Sequence, residues 1–462
     1  MHLNTVFYAN SVFYRSQTAD NNVMMNMKSN QRTGPGIKEI RIIPIAVTDP
    51  PLLNSVGVHA PYALRTIIEI ITDDNISGIS EIPGNIEINA LLEKSREVII
   101  GADPFQLNRI RADIFSRFGD HETDNRGDNP WDSRKLVHVY SAIEVACLDI
   151  QGKICGRPVV DLLGGMCRES VPFGAYLFYK FKGAGGELGY EVDPNASGWD
   201  AARQAAAENP EEIVSQARAM IKEFGFKSIK LKGGVFPPGE EVNAIIHLGK
   251  AFGPDVPLRF DPNGVWAVET AIKYGKQMEG ILEYLEDPTR GQEGMAEVRR
   301  ALNMPLATNM CTTSFEEIPS GVRLWSEDII LSDHHFWGGL RESINLGKIC
   351  QTFGKGLSMH SNSHLGISLI AMVHMAAAIP NLTYDLDTHY PWQSDEIIAG
   401  GRVKFNEGRI AVPREPGLGI ELDHDMLEKL HNDYKNCNIV KRDDTAEMKK
   451  IDPDWEFKAI RW

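Results

Sequence analysis

The sequence lacks the features that mark several common classes of protein. None of its six cysteines (147, 155, 167, 311, 350 and 437) stands in a CxxC pair. That argues against a disulfide framework or a thiolate metal site, and for reduced thiols in the cytoplasm. No apolar run approaches the ~20 residues a membrane helix needs, so no membrane partner is expected. Positive charge is in deficit, with 48 Lys and Arg against 63 Asp and Glu, a net charge of −15. A chain of that sign is not built to grip nucleic acid or an acidic membrane surface. An anionic substrate would have to be drawn in by a local cationic pocket. Residues 1–36 lack the charged start and apolar block of a signal peptide. They are polar, rich in Asn and Met, and are expected to form a poorly ordered extension.

What remains is an ordinary globular composition, 42% hydrophobic and 24% charged over 462 residues. That length allows two or three domains, or one barrel with an accessory domain. From Ile37, KEIRIIPIAV and ALRTIIEIITDD read as strands of an antiparallel meander. NALLEKSREVIIG, PFQLNRIRADIFSRFG and KLVHVYSAIEVACLDIQGKICG then carry helical apolar spacing, each closed by glycine. Strands followed by helices predict an α+β domain over 37–165. From about Val171 the pattern alternates. The short apolar runs VPFGAYLFY, SIKLK, PLRFD, LEYLED, MPLATN, DIILSD, KGLSMH and LTYDLD are separated by helix-like segments. Eight such units over 166–398 predict a (β/α)8-type barrel, with a doubly wound open sheet as the competitor. The irregular segment 399–462 is expected to return to the first domain and complete it.

The polar residues that end these runs favour the barrel. Lys232, Asp261, Glu286, Asn309, Asp333 and His360 each follow an apolar run, and from Asp261 onward the gaps are 25, 23, 24 and 27 residues. A strand-helix repeat has about that length, so each residue falls at the carboxyl end of a successive strand, where barrel active sites are built. Asp261, Glu286 and Asn309 offer two carboxylates and an amide oxygen, a hard donor set suited to Mg2+. The competing reading is that the two acids merely cap the next helices. Asp333 can orient His360 and raise its basicity. Lys230 and Lys232 lie two apart in IKLKGG, hence on one strand face. They are either a solvated edge or a paired site in which Lys230 makes Lys232 easier to deprotonate. HSNSH at 360–364 is not read as a zinc HxxxH, because Ser-Asn-Ser describes a loop. GAGGELG at 183–189 has the wrong spacing for a dinucleotide loop. A Schiff-base aldolase using Lys232 is a further alternative, one that would need no metal.

Two bases flanking a hard divalent ion suit abstraction of a proton beside a carboxylate. The set KLK, DPNG, EDP, TNM, SD and HSN resembles the enolase superfamily, with bases arranged as in mandelate racemase. More narrowly it resembles the glucarate dehydratase family, through GVHAP, YLF, FKSIKLKGGV, ATNM, HFW, DTH and PGLG as well. This resemblance implies an enolase-like modified barrel under an α+β capping domain. It also implies Mg2+-dependent dehydration of D-glucarate, and of its C5 epimer L-idarate, to 5-dehydro-4-deoxy-D-glucarate. By the same resemblance Lys232 and His360 are the acid-base pair, Asp333 partners His360, and Lys230 neutralises the reacting carboxylate. Asn263 takes part in catalysis and substrate binding. His59, Tyr176, Asn309, Ser361, Asn362, His389 and Arg442 are expected to contact substrate. The chain departs from the family in SDHH, in Ser358-Met359 before His360, and in a capping stretch RGDNPWDSRK without threonine. The expected partner is a small dicarboxylate sugar acid, and the expected assembly a homo-oligomer.

Overall fold

The computed structural model describes residues 34–123, 126 and 132–462. The polar extension therefore lies, up to residue 33, outside the described residues, as does most of RGDNPWD.

Three long antiparallel strands open the described chain, β1 (Ile37–Thr48), β2 (Tyr62–Thr72) and β3 (Ser77–Pro83), in the order β1-β2-β3. Helices α1 (Ile86–Ile99), α2 (Leu107–Phe118) and α3 (Lys135–Cys155) follow. Strand β2 is buried on both faces along most of its length. One face lies under α3, which is buried from His138 to Gly152 and packs on the sheet, and from the other Arg65 reaches Asn362 and Ser368 of the second half. This helix ends at Gly156 in the left-handed conformation, φ 64°, which costs glycine nothing.

The second half alternates as expected. Seven strands form one parallel sheet: β4 (Ala175–Phe178), β5 (Ile229–Lys232), β6 (Leu258–Asp261), β7 (Tyr284–Glu286), β8 (Leu306–Thr308), β9 (Ile329–Ser332) and β10 (Gly356–Met359). Helices α4 (Pro210–Phe224), α5 (Pro238–Phe252), α6 (Val268–Met278), α7 (Gln292–Ala301), α8 (Ile318–Leu324) and α9 (Leu340–Thr352) connect successive strands, and α10 (Gly366–Ala378) follows β10. Their ends follow local chemistry. In ENPEEIV, Asn209 caps α4 by accepting from the Glu212 N–H, Pro210 occupies the first turn, and Gly225 at φ 74° closes the helix.

One expectation needs correction. LTYDLD does not form a regular eighth strand. The Asp385 carbonyl is taken by the side chains of Arg259 (2.7 Å) and Ser358 (2.9 Å) rather than by a strand ladder. The segment still closes the curled sheet. Leu386 bridges Phe173 in parallel, its N–H donates to Pro172 and its carbonyl accepts from Gly174, while the Asp387 N–H donates to Met359. Seven regular strands and one irregular segment thus share the ring.

Past the barrel, Arg409–Ala411 pairs antiparallel with Ser170–Pro172. Helix α11 (His424–Cys437) lies along β1, with His431 Nδ1 2.7 Å from the Pro44 carbonyl. Asp444 then accepts from Asn54 at 2.6 Å. The late chain thereby packs on the first strands.

Candidate active site

The parallel register sets the site. Lys232 pairs in register with Asp261, and Tyr176 with Lys230, so the polar strand ends gather at one rim. Lys232, Asp261 and Glu286 are the last residues of β5, β6 and β7, while Asn309, Asp333 and His360 each stand one residue beyond β8, β9 and β10. All six are buried.

Both lysines point inward. Lys232 Nζ lies 2.7 Å from Asp261 Oδ2. Lys230 Nζ lies 2.5 Å from Glu286 Oε2, 2.6 Å from Asp387 Oδ2 and 4.0 Å from Asp261 Oδ2, over the face of Tyr176. Burial is the largest single influence on Lys230 and works against its charge. Asp387, Glu286 and Asp261 together outweigh it, so its pKa is raised well above the usual lysine value. Lys230 is therefore a fixed cation, and the solvated-edge reading is excluded by its burial.

Three carboxylates, Asp261, Glu286 and Asp387, share these two ammonium groups. Burial pushes Glu286 well above the usual carboxylate range, with the Lys230 charge opposing. For Asp261 the same burial effect is overcome by Lys232 and Lys230, and its pKa is lowered. Glu286 Oε2 receives no well-aligned hydrogen bond, although the Lys230 ammonium is close. Asn309 Nδ2 donates to Glu286 Oε1 at 3.2 Å, which brings the β7 and β8 ends together. A buried carboxylate surplus with an under-satisfied oxygen is the environment a hard divalent cation would complete. The Asp261 and Glu286 oxygens fit that group, whereas Asn309 turns its Nδ2 toward Glu286 and its Oδ1 toward Arg126, so its amide must turn over to join them.

At the far edge, His360 Nδ1 lies 3.0 Å from Asp333 Oδ2, and its ring stacks on Phe336. Burial lowers the His360 pKa to about 4, against the pull of Asp333. The ring is thus neutral and able to accept a proton at pH 7. Asp333 also meets His335 Nδ1 at 2.8 Å, so one carboxylate serves two imidazoles. His335 is buried against Glu81 and Ser368. HSNSH is a loop ahead of α10, as expected.

Burial likewise lowers His138 and His374 to about 4. These rings and His360 are neutral when folded, whereas the unfolded chain takes up their protons below pH ~6.5. Their contribution to stability should therefore fall as pH drops from ~6.5 toward ~4, by up to about 1.4 kcal/mol per pH unit per ring. Glu144 and Glu241, which burial raises to about 8 and about 7, pull the other way. Removing one ring, as in His374→Gln, should make the urea midpoint fall less between pH 7 and pH 5 than in the wild type, and an equal change in both would mean that this ring protonates without leaving the fold.

Lys232 and His360 line one cavity between the two domains, together with Tyr176, Ser361, Asn362 and the cap residues His59 and Arg442. His389 lines it as well. Its ring stacks 6.1 Å from that of His59, and Asp49 meets both, at 3.2 Å from His59 Nδ1 and 3.6 Å from His389 Nε2. Arg442 is held by Asp444 at 2.5 Å. Asn362 accepts from Arg65 at 2.8 Å and donates to Asp333 at 3.1 Å, while Ser361 accepts from the His389 N–H. Asn263 is buried outside the cavity wall, where its Oδ1 accepts from Ser55 and its N–H donates to Asp261 Oδ1 at 2.8 Å.

The sequence reading missed Asp49, Arg65, Asp387 and Arg126. Arg126 donates to Asn309 Oδ1 at 2.8 Å and lies over the Phe336 ring. Only its place in a charged capping stretch hinted at a role.

The chain belongs to the enolase superfamily. Residues 212–426 match the family model described as "Enolase C-terminal domain-like". Within the superfamily it groups with the hydro-lyases. It is 43% identical over 437 residues to a Streptomyces coelicolor protein named "Probable glucarate dehydratase", spanning 92% of this chain and 99% of that one. An enolase from Mycobacterium smegmatis complexed with tartrate is similar at TM-score 0.85 and 49% identity, covering 94% of this chain and 100% of that one. An enolase from Pseudomonas fluorescens with magnesium, potassium and tartrate matches at TM-score 0.85 and 45% identity, over 93% and 99% of the two chains.

Proposed function

We propose that the protein is a Mg2+-dependent glucarate dehydratase, converting D-glucarate, and L-idarate with it, to 5-dehydro-4-deoxy-D-glucarate. One observation carries this reading. Lys232 and His360, on the second and seventh strands, line a single cavity, while the hard oxygens of Asp261, Glu286 and Asn309 end the strands between them. Mg2+ on those three residues would supply positive charge for the anion that forms when the proton beside the carboxylate leaves. Lys230 adds a second fixed charge for the same carboxylate. One base takes the C5 proton. The electron pair left behind forms the C4–C5 double bond, and the C4 hydroxyl departs as water after taking a proton from an acid group. Tautomerisation of the enol leaves the C5 ketone.

Bases on two sides would let both C5 epimers reach one intermediate. The His59–Asp49–His389 group and Arg442 give the cavity donors at its cap end, suited to the distal carboxylate of a six-carbon diacid. Tartrate, a hydroxylated diacid, in the two related enolases supports that substrate class. No described helix is long and apolar enough to cross a membrane, and all six cysteines are unpaired. We place the enzyme in the cytoplasm, as a homo-oligomer acting on a small dicarboxylate sugar acid.

The test is a keto-acid assay of purified protein with Mg2+ across a panel of hexarates. Rapid keto-acid formation from D-glucarate is expected. Turnover of galactarate alone would reassign the substrate. Solvent deuterium at C5 without loss of water would make the enzyme an epimerase, and activity indifferent to chelator with a reducible imine would restore the aldolase reading.

A further inference from the structure

We propose that Ser55 and Arg461 form a positioning clamp that fixes the Asn263 amide and the loop behind Lys232, making the cap and the last residues of the sequence part of the catalytic geometry. The inference rests on the proposed reaction for its kinetic arm only.

The clamp is a continuous hydrogen-bond chain. Arg461 Nη2 donates to the Ser55 carbonyl at 2.8 Å. The Ser55 hydroxyl donates to Asn263 Oδ1 at 3.1 Å, in a buried contact between cap and barrel. The Asn263 N–H in turn donates to Asp261 Oδ1, the carboxylate that meets Lys232. A second arm of the same guanidinium reaches the Gly234 carbonyl at 3.4 Å. The Gly233 N–H donates to the Asp261 carbonyl, which ties the end of β5 to that of β6. Beside them the Arg461 N–H donates to Val265 at 2.8 Å, and Arg290 Nε holds the Ala459 carbonyl at 3.0 Å.

Two features make these contacts more than packing. Asn263 sits at φ 61°, a left-handed conformation that asparagine tolerates but does not favour strongly. Its amide is engaged at both ends, Oδ1 accepting from Ser55 and Nδ2 donating to Met310 Sδ at 3.0 Å. Ser55 supplies the donor to Oδ1, so its loss leaves that buried amide oxygen without its partner. Gly234 lies at φ 75°, and a Cβ there would stand 2.4 Å from the Pro262 carbonyl oxygen. The β5 and β6 loops thus touch backbone to backbone, and a shift in one moves the other.

On this account Ser55→Ala lowers kcat by 10- to 100-fold with KM changed less than threefold, and Ser55→Thr restores most of the loss. In an Asn263→Ala background, Ser55→Ala should cost less than twofold more. Equal losses in both backgrounds, or no loss in the wild type, would overturn the clamp. Full activity of Asn263→Ala would instead count against the reading of Asn263 in the site. Hydrogen exchange needs no substrate. Peptides covering 233–236 and 261–267 should exchange at least tenfold faster in Ser55→Ala and Arg461→Gln, while β1 and β2 stay protected. Unchanged exchange in those peptides would refute the clamp whatever the kinetics.

Discussion

Lys232→Ala is expected to abolish C5 proton exchange with one hexarate epimer, and His360→Ala with the other. Each loss should fall in the range of about 10²–10⁴-fold that a positioned proton-transfer group supplies. Solvent-deuterium incorporation read by NMR separates the two sides. A single variant that silenced both epimers equally would place one group on both proton transfers, and two fully active variants would sink the assignment. Asp333→Asn should resemble a partial His360 loss, because His360 and His335 both lean on that carboxylate. Burial already holds the His360 pKa at about 4. The His360-dependent rate should therefore stay flat from neutral pH down to about 5 and fall only below that.

The second large effect is expected at the donor set. Asp261→Ala should lower Mg2+ affinity by more than the about 10–100-fold typical of changes to groups that merely support metal ligands. Activity should fall with it. Asp261 also meets Lys232, so this variant disturbs base and metal at once. Glu286→Gln is the cleaner partner, since it keeps shape and removes one charge. Titration calorimetry with Mg2+ reads both variants directly, and circular dichroism checks that each still folds. Unaltered Mg2+ affinity in Glu286→Gln would remove Glu286 from the donor set. Loss of activity alone would then be traced to Lys230, whose ammonium it neighbours.

Much of the site could be read from sequence because a strand-helix repeat has nearly constant length. That regularity alone puts Asp261, Glu286, Asn309, Asp333 and His360 at successive strand ends. The paired lysines were ambiguous until the ring enclosed them. Contacts between segments distant in sequence were not legible. Asp387 meets Lys230 from the irregular closing segment, and Asp49 reaches His389 across the two domains. No local spacing encodes such meetings, which arise only when separate elements pack. The missing eighth strand had a related cause. LTYDLD has strand-like composition, but side chains of Arg259 and Ser358 claim the Asp385 carbonyl that a ladder would need.

The packing of α11 and Asp444 on the first strands bears on how the molecule is made. His431 meets Pro44, and Asn54 meets Asp444, partners separated by 387 and 390 residues. During synthesis the barrel strands can pair with neighbours soon after they leave the ribosome, whereas the cap must wait for chain made about 390 residues later. At ~5–20 residues per second that wait lasts tens of seconds. Through it the part of β1 that α11 covers stays open to solvent. Chaperone demand in the cell should therefore fall on the oldest part of each polypeptide.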